Sequence, residues 1–156
     1  MPETAHSPRS APASVRTAAL LTYALVAIAA VRLLLAIVAN DSLVEAYADS
    51  MKIDMNDELG RASAEQGAPG FVAIALISFV IFGALSVLLA QLFLRGSNGA
   101  RWIAIVLGVL GGLGGILALA AAAPVWYQAL GVLSGVISLA IVFYLLRPDA
   151  KAFYAS

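Results

Sequence analysis

Arg32 is the residue best equipped for chemistry in this chain, and it stands where charge is least expected. The stretch AAVRLLLAIVAND, residues 29 to 41, places it inside an apolar run reaching from Ala18 to Ala39. A guanidinium is a permanent cation with a planar fork of donors, suited to anions, carbonyls and hydroxyls. Arg32 lies seven residues before Ala39, so about 10 Å inside the end of the run at helical rise. Ser78 and Ser134 sit at similar depth in two other apolar runs, and Gly114 and Gly115 in a third. This matching of depths predicts an intramembrane polar cluster of Arg32, Ser78 and Ser134. The competing expectation is snorkelling, with the apolar stem in lipid and the charged head reaching the outer headgroups. Insertion scales put a mid-membrane arginine at about 2.5–3.5 kcal/mol, and less off-centre, so either arrangement is tolerable.

Other reactive groups are few. Asp49, Asp54, Asp57 and Glu58 offer hard oxygen ligands, but their spacing matches no calcium loop and lacks its turn glycine. They read as a solvated helix face. His6, alone in the N-terminal tail, reads as inert. There is no cysteine, which removes disulfides, thiolate metal sites and cysteine catalysis together. The GLGG motif has no Lys-Ser/Thr sequel and no preceding strand, so it is not a phosphate loop. No Ser/His/Asp set, metal cluster or carboxylate pair falls at membrane depth, so neither an enzyme nor a cofactor or metal site is expected. Without an intramembrane Asp or Glu there is also no proton relay.

The elements that must position these residues are apolar helices. Of 156 residues, 62% are hydrophobic and 12% charged, about half the usual charged share, and mean hydropathy is +0.96. Formal net charge is zero, which gives no basic face for nucleic acid. A bilayer core of about 30 Å needs roughly 20 helical residues. Four runs qualify: 18–39, 71–94, 102–123 and 127–146. The expected fold is therefore all-α: a polytopic four-helix transmembrane bundle over 18–147, with a short amphipathic helix in the outer loop. Residues 1–17, rich in Pro, Ser and Ala, are expected to be a disordered cytoplasmic tail, and 148–156 a second cytoplasmic tail.

Charge gives the orientation. Arg9, Arg16, Arg95, Arg101, Arg147 and Lys151 fall on segments that share one side of a four-span chain. The long loop 40–70 holds only Lys52 and Arg61 among seven acidic residues. The positive-inside rule then places both termini in the cytoplasm and the acidic loop outside. Trp102 and Tyr144 would mark the inner interface, Trp126 and Tyr127 the outer. Arginine outnumbers lysine and alanine is abundant, a bias associated with GC-rich bacterial genomes, so the membrane is expected to be a bacterial cytoplasmic membrane. A rival reading takes the first run as a signal peptide cleaved near Ala27-Ile28-Ala29; the apolar continuation Leu33–Ala39 argues against it.

In the outer loop, Ser42-Leu43-Val44-Glu45 fits a capping box. Leu43, Val44, Tyr47, Met51 and Met55 share a face at helical spacing. These predict a helix over 43–59, stopped by Gly60, then a flexible connector to Gly70. In the third span Ala104, Gly108 and Gly112 repeat at spacing four, and Gly111 and Gly115 repeat on an adjacent face. Gly131 and Gly135 answer them in the fourth span. Small residues at this spacing let helix backbones approach closely in lipid. They predict either an intrachain hairpin, favoured by the short turn at Pro124, or a homo-oligomer.

FLRGSNGARWIAIVLGVLGG and LLRPDAKAFYAS together resemble a group of small four-span integral membrane proteins common in actinobacteria. That group tends to show a basic-Gly-x-Asn-x-Ala-Arg stretch entering the third span and a Leu-Leu-x-x-Pro-type segment, then an aromatic residue, after the fourth. Arg95, Gly96, Asn98, Ala100 and Arg101 match the first element; Arg147, Pro148, Asp149 and Phe153 match the second. Gly99 stands where the group often has tryptophan. The resemblance implies the architecture and carries no activity with it. Two functional expectations follow from the residues. One is an accessory, assembly or interaction subunit of the cell envelope, with the bilayer and a membrane-protein partner or second copy as its contacts. The other is a small transporter or channel using a polar cluster around Arg32.

Overall fold

The computed structural model describes residues 10–68, 70–121 and 123–155. It is all-helical, 87% helix, with four helices long and apolar enough to cross a membrane, packed together. Among the described residues there is no strand.

Helix α1 spans Ala13–Val38. It starts earlier than the apolar run does, so residues 13–17 are helical rather than part of a disordered tail. Pro12 is extended, and its carbonyl accepts the Arg16 N–H at 3.1 Å. The cause is tertiary: Ser14 and Val15 are buried, and burial orders a stretch whose composition alone would leave it loose. Residues 1–9, with His6, lie outside the described residues.

The loop 40–70 differs most from expectation. Helix α2 is Asn40–Met51, separated from α1 only by Ala39. Ser42 lies inside it and donates to the Ala39 carbonyl rather than capping. The helix stops at Lys52, which adopts the left-handed conformation with φ 57°. The Ile53 N–H bonds the Ala48 carbonyl at 2.9 Å and the Lys52 N–H bonds the Asp49 carbonyl at 3.2 Å, which is the Schellman pattern. Asp54 then accepts two bonds from Asn56, forming a local turn of the kind Asp favours. Helix α3, Glu58–Gly67, occupies the expected connector. Gly60 does not stop a helix. It lies within α3, where any Cβ would collide with the Asp54 carbonyl, so its role is close approach.

Helix α4 is Phe71–Leu94, matching the second apolar run at both ends. Helix α5, Asn98–Leu117, begins ahead of the third run because Ser97 caps it, accepting the Ala100 N–H at 3.4 Å. A 3-10 turn, Ala118–Ala120, follows. Helix α6, Val125–Leu146, starts directly after extended Pro124. The segment expected only as a tail carries α7, Pro148–Ala155, with proline in the first helical position that tolerates its missing N–H.

Packing sets the order α4–α1–α6–α5. Helix α1 lies against α4 and α6, and α5 lies against α6, while contacts between α4 and α5 are sparse. Helices α1 and α6 are the inner pair, each packed against two neighbours. The buried apolar cluster joins Val15, Ala18 and Ala19 to Leu89, Phe93, Ile105, Ile141, Leu145 and Ala150. These residues come from the start of α1, the end of α4, the first half of α5, the end of α6 and α7. The bundle is thus tightest at the end that bears the chain's termini. Elsewhere Ile77, Phe82, Val106, Leu113 and Phe143 stand exposed, as expected of helices solvated by lipid.

Candidate functional site

The terminal end is where polar chemistry is concentrated. Helices α4 and α6 both finish there, and the last four carbonyls of a helix have no partner within it. Arg101, only 6% exposed, answers one of them. Its Nε donates to the Leu145 carbonyl at 3.0 Å, and Nη1 reaches Asn98 Oδ1 at 3.4 Å. The negative end of the α6 dipole favours a cation there. The guanidinium also lies 5.4 Å from the ring centroids of both Trp102 and Tyr154, within cation–π range. Tyr154 answers α4: its hydroxyl donates to the Phe93 carbonyl at 3.0 Å, which also accepts the Gly96 N–H at 3.1 Å. Gly96 has φ +83°, and a Cβ there would lie 3.6 Å from the Phe153 ring. These bonds clasp α7 and the α4–α5 turn onto the bundle.

The clasp is held by fixed protonation states. Burial pushes the Tyr154 phenol up to about 12, against an opposing pull from Arg101, so it remains a hydrogen-bond donor near neutral pH. Asp149 is held below the usual carboxylate range, first by the nearby Ser14 hydroxyl. That contact falls short of a full hydrogen bond, because buried Ser14 Oγ has no bonded partner. Asp149 also pairs with Arg147 at 3.8 Å on the exposed rim.

The sequence-predicted polar cluster is not assembled. The Arg32 guanidinium lies over the Tyr127 ring, 4.1 Å from its centroid. Ser134 donates back to the Leu130 carbonyl at 2.8 Å. Ser78 is half-buried and bonds neither of the others. The reason is axial. Tyr127 lies seven residues before Ser134, about 10 Å nearer the start of α6, and Arg32 extends that way. The charge therefore rests on an aromatic face at the start of α6 and not among the hydroxyls.

The predicted packing residues come together between α5 and α6. An added Cβ on Gly115 would lie 2.6 Å from Gly135 Cα, and one on Gly135 would lie 2.7 Å from Gly115 Cα. A Cβ on Gly108 would meet Val142 at 2.5 Å, on Gly111 the Ser138 hydroxyl at 2.7 Å, on Gly112 Leu139 at 2.5 Å, and on Gly131 the Ala118 Cβ at 2.5 Å. Ala104 is buried in the same seam. The glycine face is therefore filled within one chain.

Sequence reasoning used Arg101 for topology and, with Asn98, as a motif residue, gave neither a bonding role, and overlooked Tyr154. The available signal was the pair of motif elements: the structure brings the Gly96–Arg101 stretch against Leu145–Tyr154. No family model, curated protein or solved structure matches the chain. Fold and site together define an all-helical bundle of four helices able to span a membrane, closed by a polar clasp at one end.

Proposed function

We propose that the chain is a multi-pass protein of a bacterial cytoplasmic membrane, with both termini cytoplasmic, serving as an accessory, assembly or interaction subunit of an envelope complex. One observation carries this reading: the span hydroxyls that are bonded are spent within their own helices. Thr22 donates to the Ala18 carbonyl, Ser134 to Leu130 and Ser138 to Ser134, each one turn back, while Arg32 rests on Tyr127. Among the described residues these groups form no converging set to carry a solute. The outward apolar faces of α4 and α5 remain for lipid and for a partner helix or second copy. The two motif elements that carry the resemblance to small four-span actinobacterial proteins are the ones that meet at the clasp. The transporter or channel reading required Arg32, Ser78 and Ser134 to converge, so it has less support.

Purification in mild detergent tests the proposal. A stoichiometric membrane-protein partner, with no small-solute-dependent rise in thermal stability, is the expected result. A chain that purifies alone and is stabilised by a solute would favour transport.

A further inference from the structure

A shallow, open apolar groove of about 580 Å³ runs along α4, lined by Phe79, Val80, Ala84, Val87 and Leu88, with Val26 of α1 and, at its foot, Gln91. From Phe79 to Gln91 is about 18 Å of helix at 1.5 Å per residue, close to the roughly 15 Å of one leaflet's hydrocarbon. These residues run from just before the middle of α4 towards the end nearer the chain termini. At the foot the Gln91 amide donates to the Tyr23 hydroxyl at 2.8 Å, a polar pair where the apolar lining ends. One turn beyond Gln91, on the same face of α4, stands Arg95; two turns before Tyr23, on the same face of α1, stands Arg16. Both arginines are exposed, and neither side chain has an ion-pair or hydrogen-bond partner among the described residues.

We infer that this is a site for one anionic phospholipid. One acyl chain lies in the α1–α4 groove, the glycerol region meets the Gln91–Tyr23 pair, and the phosphate headgroup is held between Arg16 and Arg95. Charge selects the occupant: two unpaired cations at the mouth of an apolar slot match an anionic headgroup on a hydrocarbon tail. A zwitterionic lipid offers less, and a partner helix would place apolar residues against the arginines. The inference rests on the membrane-embedded reading but not on which way the chain faces.

Native mass spectrometry of the full chain, released from detergent containing either phosphatidylglycerol or phosphatidylcholine, tests it without reference to orientation. One phosphatidylglycerol is expected to stay bound per chain, with phosphatidylcholine lost. A basic residue at an anionic surface contributes roughly fivefold in affinity, so Arg16→Gln with Arg95→Gln should weaken retention roughly thirty-fold. Arg147→Gln with Lys151→Gln, on the same end but away from the groove, should leave it unchanged. Ala84→Trp fills the slot at an exposed position and should abolish retention with both arginines intact. Equal retention of the two lipids, an equal loss in the Arg147/Lys151 pair, or full retention in Ala84→Trp would each overturn the site.

Discussion

The Arg32 guanidinium and the Tyr127 ring are stacked, 4.1 Å from cation to centroid, so a charge on α1 is held by the first turn of α6. A partly exposed cation–π contact is worth about 1 kcal/mol, below the insertion cost of an intramembrane arginine, about 2.5–3.5 kcal/mol at mid-depth and less off-centre. Arg32→Leu is therefore expected to be as stable as the parent or more so in bilayer nanodiscs. Tyr127→Leu should destabilise by about 1 kcal/mol, and lose most of that effect when Arg32 is already leucine. Thermal unfolding of the four variants checks the cycle. A large loss in Arg32→Leu would mean the charge is bonded inward after all.

The seam between α5 and α6 gives an ordered series. Gly115→Ala must push on Gly135 backbone, whereas Gly99 and Gly114 have nothing within 4 Å of an added Cβ. Overpacking of this kind costs about 1–3 kcal/mol. Gly99→Ala and Gly114→Ala should instead be neutral or stabilise by up to about 1 kcal/mol through helix propensity. Equal unfolding midpoints for Gly115→Ala and Gly114→Ala would remove the seam from the fold's support.

Arg101→Leu deletes a buried charge-assisted bond to Leu145 and leaves that carbonyl unpaired, a loss of about 1.5–3 kcal/mol. Arg101→Lys should recover part of it, since lysine lacks the planar fork that reaches Leu145 and Asn98 together. Tyr154→Phe should cost about 1 kcal/mol. Limited proteolysis after residue 147 is the sharper assay: both losses should release α7 before the bundle unfolds. Unchanged cleavage would show that the clasp does not hold α7.

Tyr154 also fixes a pH response. Its phenol is raised from 10.0 to about 12 in the folded chain. The contribution is complete below about 10 and is lost as pH rises towards about 12, because the unfolded chain releases the proton first. Unfolding midpoints measured across that interval should fall less steeply in Tyr154→Phe than in the parent. An identical slope would mean that burial of this phenol is not linked to folding.

The spans were legible because hydropathy and length suffice to find them, and α4 matched its run at both ends. The glycine seam was legible because spacing four is a surface property of a single helix. What escaped the sequence depended on tertiary contact. Lys52 ends α2 in a left-handed conformation that usually signals glycine or asparagine, so its chemical identity gave no warning. Gly60 announced a helix stop, yet it answers the crowding of Asp54. Ser14 and Val15 are ordered by neighbours from distant parts of the chain. Ser78 and Ser134 matched Arg32 in backbone depth, but depth does not fix which way a long side chain extends, and Arg32 reaches towards Tyr127. Arg101 obeyed the charge rule, and the motif that contains it gave no sign that its guanidinium closes the end of α6.

The four-span arrangement with cytoplasmic termini is tested most directly by cysteine labelling, which the cysteine-free chain permits without background. Ser63 on α3 is exposed at the outer-loop end, and Gly99 is exposed at the start of α5. In intact cells, Ser63→Cys is expected to react with an impermeant maleimide, and Gly99→Cys only after permeabilisation. Labelling of Gly99→Cys from outside, with Ser63→Cys protected, would contradict the proposed orientation.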